Sequence, residues 1–310
     1  MADFNFQHVK YTSLQGKKEG SHLLILAGVH GDEYEPIAAA SRLIQSLPEI
    51  LTQGKVTIVP IVNLSAFRRG SRTGEDGLDL ARICPGNKSG SISERVAAEV
   101  SELITVADYL IDLHGGGTVY EIDPLSGYVL HKSADVLEKQ RKMARAFNLK
   151  TIWGTSDKLN GRTLSVARDH NVPAIYTEFG GGGGFKKGIV KEYIQGCLNV
   201  IRMLGMSEGS MAPDRCEYEV EDHRDESGHL QRMLPASCDG FFEAEVSLGE
   251  FVKKEQVIGT ISNPFVQKSI PVHADADGMV FLLRAVPSVL KGDALGGILP
   301  AKKSGRVTIV

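Results

Sequence analysis

The sequence contains no C-x-x-C pair, and its four cysteines, Cys84, Cys197, Cys216 and Cys238, stand far apart in 310 residues. A chain of this length needs no covalent staples, so no disulfide framework is implied and reduced thiols in the cytoplasm are expected. Long apolar runs are missing too. No stretch of eighteen apolar residues occurs, and the opening MADFNFQHVKYTSLQGKK lacks a basic region followed by an apolar one. Neither membrane insertion nor secretion is therefore expected. Charge of one sign is not in excess: 35 Lys and Arg stand against 38 Asp and Glu, a net charge of -3. Such a balance provides no basic field for nucleic acid or an anionic membrane. With 42% hydrophobic and 24% charged residues, bulk disorder, collagen-like repeats and coiled coils are excluded as well. What remains is a chain able to bury one large core or two ordinary ones.

Its two halves have different patterns. From about residue 20 to 205, compact apolar runs alternate with segments of helical period. LLILAGV (23–29) precedes Ile37, Ala40, Leu43, Ile44 and Leu47 on one helical face. VTIVPIV (56–62) is followed by Val96, Val100 and Leu103 behind the capping box Ser91-x-x-Glu94, and then by DYLIDL (108–113). The same alternation continues through YVLH (128–131), a helix around Val136, Met143 and Phe147, AIYTEF (174–179), and a helix carrying Ile189, Tyr193, Cys197, Val200 and Leu204. Nearly continuous apolar strands separated by helices predict an α/β domain, doubly wound, with a mainly parallel sheet covered on both faces. Sites in such sheets form where strands end.

After Met211 the helical period stops, and short strands with Gly and Pro turns follow the acidic stretch 214–226. The expected division is therefore a catalytic domain over 1–212 and an all-β domain over 213–310. A quasi-repeat marks the second: Asp239-Gly240-Phe241-Phe242 returns as Asp277-Gly278-Met279-Val280, and VKKEQVIGTI (252–261) returns as VLKGDALGGI (289–298). Two equivalent halves of this kind can wrap around one core. Residues 230–300 resemble the barrel-sandwich hybrid of lipoyl and biotinyl domains. Lys268, however, stands in SNPFVQKSI without a flanking attachment motif, so no prosthetic group is expected.

Just after the first core strand, His30-Gly31-Asp32-Glu33 places an imidazole and a carboxylate three residues apart at a strand's carboxyl end. H-x-x-E alone carries little information, because His223-Arg224-Asp225-Glu226 repeats it within a charged segment. Strand context separates the two copies. IDLHGGG ends another core strand with His114, which can converge with His30 and Glu33. Two imidazoles and one carboxylate are the three protein ligands of a catalytic zinc site, with a position left for water. Asp112, two residues before His114 on the same strand face, either supports that histidine or caps a neighbouring loop. Between the ligands runs an Arg-, Gly- and Asp-rich stretch (63–86). It is either a solvated loop or the source of Arg72 and Arg82, whose guanidiniums could meet an oxyanion and a substrate carboxylate. Glu178 ends an apolar run before five glycines. It either closes a strand before a flexible loop or faces a site.

Four segments in order, namely HGDE, the R-x-x-x-D-G-x-D-L-x-R stretch followed by PG, DLH before glycines, and EFG, resemble the succinylglutamate desuccinylase/aspartoacylase family of the zinc carboxypeptidase superfamily. They span residues 30–180. The resemblance implies one zinc per chain on His30, Glu33 and His114, with Arg72 stabilising an oxyanion, Arg82 binding a carboxylate and Glu178 as catalytic glutamate. It assigns Asp79 to support the first histidine, and implies a doubly wound α/β domain with a C-terminal β domain. One position departs: the family's usual Asn-Arg pair is Ala81-Arg82 here.

The expected activity is zinc-dependent hydrolysis of the amide bond in a small N-acyl amino acid or related amine. The alternatives are a zinc carboxypeptidase acting on short peptides and a catalytically silent zinc- or ligand-binding protein. The partner is a small molecule, neither nucleic acid nor membrane. Self-association into a homo-oligomer stays open, and so do the acyl group and the amino acid.

Overall fold

Residues 23–27 have no measurable exposure, so both faces of their strand are covered by protein. That is the burial expected of a continuous apolar run inside a layered α/β sheet. The computed structural model describes residues 6–263, 268–302 and 305–310. The chain opens with β1 (Thr12–Gln15), β2 (Lys18–Ala27), α1 (Tyr34–Ser46), β3 (Gln53–Val59), α2 (Leu64–Arg69) and α3 (Ile92–Thr105). It continues with β4 (Tyr109–His114), β5 (Tyr120–Val129), α4 (Ala134–Phe147), β6 (Thr151–Thr155), α5 (Thr163–Asp169), β7 (Ala174–Gly181) and α6 (Lys187–Met203). The expected capping box opens α3, with the Ser91 amide donating to the Glu94 carboxylate at 2.7 Å. The strand expected over 56–62 starts at Gln53 and stops before Pro60, while the one expected over 128–131 begins much earlier, at Tyr120. Short elements without clear period, β1, β6, α2 and α5, had no distinct sequence pattern.

Beyond residue 212 come β8 (Tyr218–Asp222), β9 (Gly240–Ala244), β10 (Phe251–Val252), β11 (Val257–Asn263) and β12 (Lys268–His273). They are followed by β13 (Gly278–Arg284), β14 (Ser288–Val289), β15 (Gly296–Leu299) and β16 (Arg306–Ile309). Among the described residues the main sheet runs β1-β3-β2-β4-β7-β5-β6-β8-β16. It is mixed: β3, β2, β4 and β7 are parallel neighbours, β5 joins β7 antiparallel, and β6, β8 and β16 continue parallel. Helices α1, α4 and α6 bury one face and α3 and α5 the other, giving two apolar cores. A C-terminal antiparallel sheet has the order β12-β11-β9-β14.

The quasi-repeat is visible as an exchange of strands. β10, from the first copy, pairs with β13 of the second, and β14, from the second, pairs with β9 of the first. Strands from beyond residue 212 also enter the main sheet. β8 and β16 extend it past β6, and β13 lies antiparallel to β5 through Leu282 and Ile122. Residues 264–267, next to Lys268, fall outside the described residues. All four cysteines are free thiols. Among the described residues no helix is long and apolar enough to cross a membrane.

Candidate metal centre and cleft

Three strand ends build the site. β2 delivers His30 and Glu33 in the turn that leads into α1, with Glu33 as the N-cap residue whose side chain makes no capping bond. Gly31 sits where α2 crosses behind the turn. A Cβ there would lie 2.0 Å from the Ala66 carbonyl carbon, so only glycine fits. Asp32 turns the other way and accepts from the backbone NH of Thr118 at 3.0 Å, tying this turn to the loop after β4. On β4, Asp112 and His114 share one face, and their parallel partners on β7 are Tyr176 and Glu178. Gly127 of β5 leaves room for the Tyr176 ring, since a Cβ there would approach its Cζ to 2.3 Å.

His30, Glu33 and His114 are all buried, and one ligand atom from each lies within 4.8 Å of the others. The two imidazole Nδ1 atoms are 3.3 Å apart, and His114 Nδ1 is 3.1 Å from Glu33 Oε2. Ligands about 2.0–2.1 Å from a tetrahedral zinc are separated by about 3.3 Å, so these edges suit the ion. The third edge, His30 Nδ1 to Glu33 Oε1, is a direct contact of 2.6 Å. The opposite ring nitrogens meet carboxylates: His30 Nε2 is 3.3 Å from Asp79 Oδ1, and His114 Nε2 is 3.2 Å from Asp112 Oδ2. A carboxylate at Nε2 draws the proton there and leaves Nδ1 as a ligand lone pair. The donor set therefore fits a metal ion. Asp112 also accepts from the Thr163 hydroxyl at the start of α5. Asp79 accepts from the Ala81 amide at 3.0 Å and from Arg72 Nε at 3.0 Å.

Electrostatics sorts the carboxylates. Burial works against charge on Glu33, but His30 and His114 outweigh it and hold the group well below the ordinary range. Burial of Asp79 is likewise outweighed, by His30 and Arg72. For Glu178 burial dominates and raises the pKa, with Glu33 and Asp112 adding to the rise and His114 and Arg72 opposing it. His114 is raised because Asp112 and Glu33 overcome its own burial.

The cleft over these groups is lined by His30, Arg72, Arg82, His114 and Glu178. All eight residues singled out in the sequence thus belong to this cleft or touch a residue that lines it. Trp153 lines it too, whereas Tyr120 lies on β5 opposite Arg284 of β13. The second H-x-x-E copy, 223–226, is solvent-exposed and does not belong to this ligand cluster. Sequence reasoning missed Arg162, Tyr176 and Gln231, which also line the cleft. Tyr176 had a signal, being two residues before Glu178 on one strand. Arg162 and Gln231 had none, because only folding brings 162 and 231 beside 82. Arg82 Nη2 donates to Gln231 Oε1 at 2.6 Å, and Arg162 Nη1 donates to the Gly228 carbonyl at 3.3 Å.

Residues 19–204 match the succinylglutamate desuccinylase/aspartoacylase catalytic domain. An N-alpha-acetyl-L-2,4-diaminobutyric acid deacetylase of Halomonas elongata is 29% identical over 302 residues, covering 92% of this chain and 84% of the relative. The product-bound ectoine utilization protein EutE (DoeB) of Ruegeria pomeroyi has the same fold: its TM-score is 0.84 at 24% identity, over 93% of this chain and 87% of that one. An aspartoacylase family protein of Mesorhizobium loti gives a TM-score of 0.78 at 28% identity, over 96% and 90% of the two chains.

Proposed function

Because the chain belongs to the succinylglutamate desuccinylase/aspartoacylase family, we propose that it is a zinc-dependent amidohydrolase releasing a carboxylic acid and an amine from a small N-acyl amino acid. The observation that carries this reading is the convergence of His30, Glu33 and His114 within 4.8 Å, with Glu178 on the strand position beside His114. One zinc per chain on those three side chains would supply Lewis-acid polarisation of the acyl carbonyl and acidification of water. Glu178, poised by its raised pKa, takes a proton from the attacking water and returns it to the leaving nitrogen as the C–N bond breaks. Arg72, held at Nε by Asp79 and with Nη1 3.4 Å from His30 Nδ1, offers its guanidinium to the oxyanion of the tetrahedral intermediate. Arg82 orients the substrate through its carboxylate. The deacetylase relative supports an acetyl group as the first acyl chain to try.

Gly228, Leu230 and Gln231 border the cleft, which favours a small substrate over a polypeptide. The reading keeps the division into a catalytic domain (1–212) and a β domain (213–310), a barrel-sandwich-like arrangement of the latter, and a cytoplasmic location. The test is metal content together with hydrolysis of a panel of N-acyl amino acids, before and after chelation. About one zinc per chain, with activity lost on chelation and restored by zinc, is the expected result. A protein that stays inactive and binds no zinc when it is supplied would overturn the reading.

A further inference from the structure

The order of strands beneath the cleft gives it a direction. Its metal ligands stand in the turn after β2 and on β4, Glu178 on β7, Leu125 and Val129 on β5, and Trp153 on β6. Those strands are consecutive neighbours in the sheet, in that order. Glu178 serves the leaving nitrogen, so the acyl carbon lies on its metal side and the amino acid lies over β5 and β6. That part of the floor is apolar. Leu125 is the strand partner of Glu178, and Gly127, between Tyr176 and Trp153, carries no side chain of its own. Leu125, Trp153 and Leu230 belong to one buried apolar core, whose edge thereby faces the cleft. Val129 and Leu164 add two more aliphatic groups to the lining.

Charge on the lining is of one sign in excess. Arg72, Arg82 and Arg162 stand there against the single carboxylate of Glu178. Two carboxylates close by are already committed: Asp79 to His30 and Arg72, and Asp112 to His114 and the Thr163 hydroxyl. A cationic side chain on the substrate would therefore meet three like charges and no free acceptor. A second carboxylate, beyond the one that Arg82 takes, would have to lose its water against Leu125, Trp153 and Leu230.

Resting on the deacylase reading, we propose that this wall is the side-chain subsite, and that the substrate is an N-acyl amino acid with a short, uncharged aliphatic side chain read by Leu125, Trp153 and Leu230. Each methylene moved from water onto the wall favours binding, whereas a charge placed there loses hydration without gaining a partner. Leu230 comes from the short helical turn Leu230–Arg232, so the C-terminal part of the chain sets the choice of side chain although the metal ligands and Glu178 come from the other part.

The test is a series of N-acetyl amino acids on the zinc-loaded protein. From glycine through L-alanine and L-2-aminobutyrate to L-norvaline each step adds one methylene, and kcat/KM should rise about 4-fold per step. Norvaline and 2,4-diaminobutyrate differ only in a terminal methyl against an ammonium. N-acetyl-L-norvaline should exceed Nα-acetyl-L-2,4-diaminobutyrate by at least about 100-fold and N-acetyl-L-aspartate by at least about 10-fold. L230A should lower the norvaline-to-glycine ratio about 3- to 10-fold, and L230E should raise the diaminobutyrate-to-norvaline ratio by supplying the missing carboxylate. These ratios are internal to each protein, so a general loss of activity does not move them, and the wild-type series decides if a variant fails to fold. A flat series, or a preference for either charged side chain, would overturn the aliphatic subsite while leaving the hydrolase standing. An unchanged norvaline-to-glycine ratio in folded L230A would overturn the part given to Leu230. A wild type that neither binds nor cleaves any member of the series would overturn the deacylase reading and the subsite with it.

Discussion

Glu33 and Glu178 carry the same functional group in one cleft, yet their surroundings drive their acidities apart. Two imidazoles keep Glu33 ionised and suited to hold a cation, whereas burial keeps Glu178 reluctant to ionise and therefore able to exchange a proton near neutrality. Glu178→Gln preserves shape and removes that exchange. Turnover of the best N-acyl amino acid should fall by about 100- to 10,000-fold with zinc content unchanged, checked by steady-state assay and metal analysis. Retained activity would remove Glu178 from the proton path. Asp112 has no exposed surface, and its Oδ2 faces His114 Nε2. An Asn there would turn donors toward that nitrogen or give up the acceptor. Asp112→Asn should weaken zinc binding about 10- to 100-fold, measured by competition with a chromogenic chelator.

At the scale of elements, α3 is tied to the arginine-bearing stretch by a single carboxylate. Asp76 Oδ2 accepts from the Ser91 hydroxyl at 2.6 Å and the Ser93 amide at 2.9 Å, while Oδ1 accepts from the Ser93 hydroxyl at 2.8 Å. A free amide in the first turn is thus satisfied from outside the helix. Burial opposes the charge, but these bonds outweigh it and lower the Asp76 pKa. The sign of the linkage follows. A carboxyl whose folded pKa lies below its unfolded value stabilises the fold fully above about pH 4, and that contribution fades as pH falls through the folded pKa. Asp76→Ala should therefore cost about 1 kcal/mol near neutrality, as a lost helix cap does, and progressively less in acid. Chemical denaturation of both proteins at pH 7 and pH 3 checks this; a cost unchanged with pH would count against the charged form as the cap.

The whole molecule is held together by a third core that spans the expected domain division. Ile122, Leu125 and Trp153 pack there with Tyr218, Val220, Met279, Phe281 and Leu282 from beyond residue 212. Phe281 meets Trp153 edge-on, with ring centroids 5.2 Å apart. Leu125 is also the strand partner of Glu178, so this core backs the cleft directly. Phe281→Ala should destabilise the protein by about 3–5 kcal/mol. Because Trp153 is the single tryptophan, its emission should shift to the red as water reaches the vacated space. Fluorescence-monitored denaturation reads both effects, and an unchanged midpoint would mean that the C-terminal strands merely lean on the sheet.

The pattern of residues along the chain determined the longer strands and helices up to α6, though not β1, β6, α2 or α5, together with the capping box of α3 and the placing of His30, Glu33 and His114 at strand ends. These are local matters: burial on both faces demands a continuous apolar run, a helix demands its period, and loops at strand ends collect in one place. Nothing local told β5 to run antiparallel to β7, or β13 to pair with β5, because strand order depends on contacts between residues far apart in sequence. The C-terminal strands read as a module of their own, for their period and turns are self-consistent, yet β8 and β16 complete the main sheet. The same long-range packing brings Arg162 and Gln231 to Arg82. No spacing rule links positions 82, 162 and 231, so their meeting was decided by tertiary structure alone, whereas the grouping of His30, Glu33 and His114 was already indicated by two short motifs.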